Sequence, residues 1–359
     1  MKRTPMHSEH VYYNINIPWD ENKPDNQCVA EVLYDSQETV LDRGSDYYAS
    51  IINFNIPVSS IPIFFVDPEP FPNTDVNLTR YKVALEYEGE VSSATVIYNP
   101  SDLLQPLPAP PSASLPDGQR TAYYAVYTYN HFIQMVNRAF AQAHANLATK
   151  PAGTKPPTLY WDGASNRFEL QVDSGNYVST LPQPINVYMG YYLFQFFEGF
   201  DTYKTGFQTA DGRDHKFHII SNNNVVDGVL TMPQDYPTVA NWNCLRTIQL
   251  RGGMLNTADE YVPSVNSGSD GRASKAPILA SFNPIYSNGV GGTVARSQIS
   301  YTLESAHRLI DILKSASLTK ISMAIWWTDE KNNEYRLRLN YRELIQVKLC
   351  FHLRATFRG

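Results

Sequence analysis

The sequence predicts an all-β protein with one or two helices, a jelly-roll β-sandwich carrying an inserted second β-rich lobe. Three observations point there. Short apolar–polar alternations recur along most of the 359 residues, which is the period of half-buried strands. Turn-forming residues separate them, as in sandwiches and jelly rolls. Only Asn130 to Ala148 shows a sustained three-and-four apolar spacing, so strands and helices do not alternate as a doubly wound sheet requires.

Taken in order, residues 1–27 are polar, contain Pro5, Pro18 and Pro24, and read as an N-terminal arm that orders against a partner. Regular structure starts near Val29. Ile52, Phe54 and Ile56 alternate with Asn53 and Asn55, a strand that Pro57 ends by removing a backbone donor. Tyr81–Tyr87 and Ser93–Tyr98 alternate again. Six prolines between Pro100 and Gly118 make a stiff extended connector. In the helix that follows, Phe132, Ile133, Val136, Phe140, Ala143 and Leu147 form an apolar strip suited to packing on a sheet; Thr128 or Asn130 caps it and Pro151 closes it.

Thr158–Trp161 and Arg167–Val172 flank a hairpin loop, and Ile185–Phe200 starts as a strand and finishes as a short helix. Lys216–Ile220, Val225–Met232 and Cys244–Leu250 are further strands. Arg251–Val294 is rich in Gly, Ser, Asn and Pro and longer than ordinary loops, which marks it as functional or disordered. Leu318–Trp327, Tyr335–Leu339 and Leu344–Leu353 are the last strands, with a hairpin turn at Thr328–Asn333. The domains expected are an arm at 1–27, a jelly-roll core of 28–105 plus 296–359, and an inserted, projecting lobe at 106–295 containing helix 130–148.

Composition narrows the function. Only 18% of residues are charged, while Tyr and Pro number 24 each, a balance suited to short strands, ordered loops and broad contact surfaces. The net charge is −6 and the basic residues are scattered, apart from a locally basic stretch at Arg336–Arg358 that reads as solvated strand edges. No specific nucleic-acid binding is expected. The longest apolar runs are too short for a membrane span, and residues 1–18 lack the apolar segment of a secretory signal. Cys28, Cys244 and Cys350 lie far apart and form no metal-ligand or disulfide pattern.

No catalytic, cofactor-binding or metal-binding residue emerges, so no cofactor and no enzyme activity is expected. His215 and His218 are three apart, which on a strand puts their rings on opposite faces. Asp201, Asp211 and Asp214 miss the calcium-loop spacing. Gly289–Thr293 is Gly-rich but opens no helix that could hold a phosphate. Cys350 reads as a buried thiol. Of Trp326 and Trp327, adjacent on a strand, at most one could join a flat sugar platform.

Several segments resemble a viral family. Asp46-Tyr47-Tyr48 running into SIINFNIPVSSIPIFF (Ser50 to Phe65), the helix YTYNHFIQMVNRAFAQA from Tyr127, the strand pair at 158–172, the hairpin IWWTDEKNNEYRLRLNYRE and the final VKLCFHL are similar to the penton, or minor capsid, proteins of polinton-like viruses, virophages and related double-stranded DNA viruses. That resemblance implies a jelly-roll structural protein of the virion, assembled inside the host cell. It also implies homopentamers at capsid vertices in contact with major capsid proteins. A closed ring of identical subunits needs neutral, aromatic-rich contact area, which this composition supplies. Two alternatives stand beside it: another shell component such as a major capsid protein, and a carbohydrate-binding or hydrolytic β-protein.

Overall fold

The first strand lies inside the expected N-terminal arm. In Asn14-Ile15-Asn16-Ile17 the isoleucines are buried and the asparagines exposed, and β1 (His10–Pro18) pairs antiparallel with the last strand along its whole length. The arm reading is corrected for these residues, because an edge that buries Ile15 and Ile17 is part of the core. The computed structural model describes residues 10–20, 29–35, 39–57, 61–69, 75–100, 109–111, 122–253, 255, 257, 259–262, 274–283, 298–302, 309–313, 317–329, 332–340 and 342–357.

The chain divides into two units, one made of Met1–Ile61, Cys244–Ser287 and Ala295–Gly359, the other of Pro62–Asn243 and Asn288–Val294. These bounds differ from the expected 28–105 plus 296–359. The hairpin before residue 100 buries its apolar face in the second unit, and the strand after Cys244 pairs into the first.

Unit 1 opens with β1, β2 (Glu31–Asp35) and β3 (Tyr47–Pro57). Inside β3, Asn53 pairs with Lys348 but Ile51 pairs with Leu349, so Ile52 is an extra, bulged residue. The bulge shifts the side-chain phase. Ile51, Phe54 and Ile56 are buried, and Ile52, expected on the inner face, is only partly so.

Unit 2 is the chain between. β4 (Phe64–Phe65) pairs with β7 (Ala125–Val126). β5 (Leu78–Tyr87) and β6 (Glu90–Ile97) form a hairpin whose turn residues Glu88 and Gly89 have φ of 51° and 82°, as a tight primed turn demands. α1 (Tyr129–Asn146) starts where the Thr128 hydroxyl accepts the His131 N–H at 3.2 Å, and its buried stripe runs from Phe132 to Ala143. β8 (Thr158–Asp162) and β9 (Arg167–Asp173) follow, then α2 (Ser174–Tyr177), β10 (Asn186–Met189) and α3 (Tyr191–Phe194). β11 (Thr202–Lys204), β12 (His215–Phe217), β13 (Val225–Val226) and β14 (Val229–Pro233) complete the unit. Val225–Met232, expected as one strand, is a hairpin, because Asp227 and Gly228 turn the chain with φ of 48° and 79°.

Beside the β4–β7 pair, two larger sheets result, ordered β11-β12-β10-β5-β6 and β13-β14-β9-β8, with α1 against β5, β6 and β8. At the centre, the fully buried Trp242 ring stacks on Phe168 at 4.9 Å and meets Phe64, Phe132, Phe197 and Tyr129 edge-on. Each such side chain contributes about 1.5–3 kcal/mol by leaving water.

The chain returns to unit 1 with β15 (Leu245–Arg251), β16 (Glu260–Val262), β17 (Ser274–Ala276) and β18 (Ile278–Phe282). β18 lies within the expected long loop, yet it is a sheet strand, its residues Ile278, Leu279 and Ala280 buried beside β15. β19 (Gln298–Thr302), β20 (Ile310–Asp311), β21 (Lys320–Asp329), β22 (Glu334–Arg336) and β23 (Leu344–Leu353) follow. One sheet runs β1-β23-β3-β19 with β20 also on β3; the other runs β18-β15-β21-β2 with β22 also on β21.

The two sheets of unit 1 form an antiparallel sandwich. Phe54 meets Phe282 at 5.6 Å, Phe282 meets Tyr301 at 5.1 Å, and Tyr13 meets Tyr34 edge-on at 5.3 Å. The fold class expected from the sequence is the one observed. Most of the Pro100–Gly118 connector, Cys28 and Gly289–Thr293 lie outside the described residues.

Candidate assembly surface

Each sheet of unit 1 ends in an N-terminal strand. Among the described residues β1 forms a ladder only with β23, and β2 only with β21, so each is an edge strand of its sheet. An unpaired strand edge is a template for association. Here it carries apolar side chains as well: Tyr12 is 57% exposed, Leu33 55% and Tyr34 40%. β2 alternates weakly and leaves most of its residues in solvent. Charge flanks it, with Asp35 held by Lys320 at 2.6 Å and Glu31 by Arg336 at 3.0 Å. Exposed pairs like these add at most about 1 kcal/mol of stability, but they restrict which partner can approach the edge. In unit 2 the hairpin of β13 and β14 projects Val225, Val226 and Val229, with Val226 72% exposed.

The residues weighed for chemistry do not converge on one site, and only His218 and Asp201 bond to each other. His215 stacks on Phe194 at 3.9 Å, and burial pulls its pKa below the usual value. His218 instead bonds Asp201 at 2.7 Å. The buried Asp214 carboxylate accepts the backbone N–H groups of Tyr191 at 2.9 Å and Thr209 at 2.8 Å, which pins the loop between β11 and β12. Asp211 pairs with Arg213 at 2.7 Å.

The adjacent tryptophans also separate. Trp327 is buried against Tyr335 at 4.3 Å, and Trp326 lies between the Arg251 and Arg336 guanidinium groups at 4.5 and 5.2 Å. Cys244 and Cys350 are buried thiols outside any disulfide.

Several tyrosines serve the interior. Tyr98 donates to the Tyr123 and Ala125 carbonyls at 2.5 and 3.1 Å, Tyr177 to the Lys155 carbonyl at 2.7 Å, and Tyr124 to the Val76 carbonyl at 2.7 Å. Burial raises the pKa of Tyr98 and Tyr177 and pushes Tyr124 up to about 12, so all three stay neutral donors. A Tyr count suggestive of interfaces thus goes partly into buried pins, a distinction composition does not carry. Among the described residues one set of ligand-type side chains converges: His10, Cys350 and His352. His10 and His352 are 342 positions apart, so only a Cys and a His two apart on a strand signal this set in the sequence.

Among the described residues the titratable groups weighed go into pins and loop locks, and the β-sandwich presents β1 and β2 as edge strands, an arrangement that suits a structural protein. Comparison with known proteins makes this specific. The sequence profile of the family described as Sputnik minor capsid protein V18/19 matches residues 11–353, and the chain belongs to that family. It is 29% identical over 205 residues to "Structural protein V19" of Sputnik virophage, covering 54% of this chain and 93% of that protein. It is 35% identical over 155 residues to "Uncharacterized protein V18" of the same virophage, covering 42% of this chain and 90% of that protein.

Among solved structures, a chain of the Sputnik virophage cryo-EM structure superposes with a TM-score of 0.84 at 30% identity, covering 98% of this chain and 100% of that one. The mavirus penton protein shares the fold, with a TM-score of 0.63 at 15% identity over 96% of this chain and 99% of that one. The protein is a viral structural protein of the minor capsid class, and its place is the virion capsid. No described helix is long and apolar enough to cross a membrane.

Proposed function

We propose that this minor capsid protein occupies capsid vertices as a ring of five copies. In this reading the open β1 and β2 edges of unit 1 meet the next copy in the ring, and major capsid proteins lie outside it. The carrying observation is the chain-long fold match to a protein named as a penton protein. The exposed Leu33 and Tyr34 beside an unpaired edge support the location of the contact. A ring contact is heterologous and closes when the subunit rotation is right. Unit 1 serves as the jelly roll seated in the shell. Unit 2, inserted between β3 and β15, serves as the projecting lobe.

Native mass measurement on the purified full chain tests the ring. Five times the 40.6 kDa chain mass supports it, and a monomer or another multiple at assembly concentration overturns it. The double substitution Leu33→Asp and Tyr34→Asp tests the contact. A folded monomer from this variant supports edge-mediated assembly, and an intact oligomer removes the edge from the interface.

A further inference from the structure

We propose that His10, Cys350 and His352 bind one zinc-type divalent ion that fastens the first strand of unit 1 to the last. Strand register brings the three together. His10 pairs directly with His352 and Tyr12 with Cys350, so the three side chains stand on one face of the β1–β23 ladder. Their ligand atoms all lie within 4.8 Å of one another. The two Nδ1 atoms are 3.1 Å apart, and Cys350 Sγ is 3.9 Å from His352 Nδ1. Around a tetrahedral zinc with bonds of about 2.0–2.1 Å to nitrogen and about 2.3 Å to sulfur, neighbouring ligands sit roughly 3.4 and 3.6 Å apart. These two separations differ from the tetrahedral ones by a few tenths of an ångström, and His10 closes on Cys350 from within 4.8 Å as the ion binds.

A second observation points the same way. The Ser50 hydroxyl, fully buried on β3, lies 2.7 Å from His352 Nε2. With Nε2–H donating to Ser50, the lone pair of His352 sits on Nδ1, the atom facing the other two groups. A partner that fixes the ring and its tautomer in this way is what metal-bound histidines carry. Cys350 and His352 are buried while His10 is exposed, so an ion enters past His10, and water supplies the fourth ligand. Two imidazoles and one thiolate suit zinc and other borderline-soft ions over magnesium or calcium.

The protons balance simply. With His352 in that tautomer and no metal bound, His10 Nδ1–H donates to His352 Nδ1. Binding moves the His10 proton to its Nε2 and releases one proton, from the Cys350 thiol. Burial raises that thiol's pKa, so affinity falls as pH falls.

The test uses full-length protein stripped with a chelator, then titrated with Zn2+ and, separately, with Co2+ as a spectroscopic probe. One ion per chain, with a thiolate-to-cobalt charge-transfer band, is expected. Cys350→Ser should abolish the band. His10→Gln, at an exposed position that leaves the core untouched, should weaken binding by about tenfold or more. Zn2+ should raise the melting temperature of the wild type and not of His10→Gln. Absence of a bound ion, a cobalt spectrum without the sulfur band, or unchanged affinity in His10→Gln reduces the cluster to a hydrogen-bonded histidine pair beside a core thiol and overturns the proposal.

Discussion

The two units reach a buried core by opposite routes. Apart from Asn288–Val294, unit 2 is one run of chain, Pro62–Asn243; it closes on the α1 helix, the β5–β6, β8–β9 and β13–β14 hairpins and an aromatic cluster around Trp242. Unit 1 is assembled from three separated runs, and its central strand β23 comes last in the chain, between β1 and β3. Unit 2 therefore closes over pairings of up to about 100 residues, such as Val187 with Leu85, whereas the sandwich of unit 1 depends on pairings some 300 residues apart.

Removing residues 344–359 should have the largest effect. Losing β23 takes the partner of both β1 and β3, so unit 1 should unfold while unit 2 keeps its protected amides, read by hydrogen exchange. Simultaneous loss of both units would show that the contrast is false. Next comes Trp242→Ala, which empties the centre of the ring cluster. About 3–5 kcal/mol should be lost in denaturant unfolding, with Trp326 and Trp327 in unit 1 reporting little change.

Ile17→Ala in β1 should lose about 2–4 kcal/mol from unit 1 alone. A negligible effect would return β1 to the status of an arm.

The smallest effect is a pH slope confined to unit 2. Burial holds the pKa of His144 and of His215 below the ordinary 6.5, and His144 Nε2 is buried with no hydrogen-bond partner among the described residues. Below about pH 6.5 the unfolded chain takes up protons that the folded unit resists, so stability falls as pH falls. His144→Gln should flatten the dependence of the unfolding midpoint between pH 7 and pH 5. An unchanged slope would remove this histidine from the account.

Legibility in the sequence followed the range of the interactions concerned. The α1 helix, the β8–β9 pair and β23 were each visible as a local period, and β23 matches its expected span Leu344–Leu353. The hairpin at Val225–Met232 was legible in Asp227-Gly228 but read through. Alternation also existed at Asn14–Ile17, masked by a polar, Pro-containing surrounding, and β18 was hidden in Gly- and Ser-rich sequence. The bulge at Ile52 left no mark, because it depends on how Lys348 and Leu349 align with β3. Nor could the His10–Cys350–His352 cluster be read, since register alone brings His10 to β23.

By itself the sequence determined the β class, the one long helix, the turn positions and the absence of familiar catalytic motifs, because periodicity, proline and glycine act over a few residues. Only the tertiary structure decided which strands share a sheet, where the two units divide, which tyrosines are pins, and which edges stay open. Those outcomes rest on apolar burial and backbone pairing between segments far apart in the chain, and no local pattern encodes which distant edge will fit.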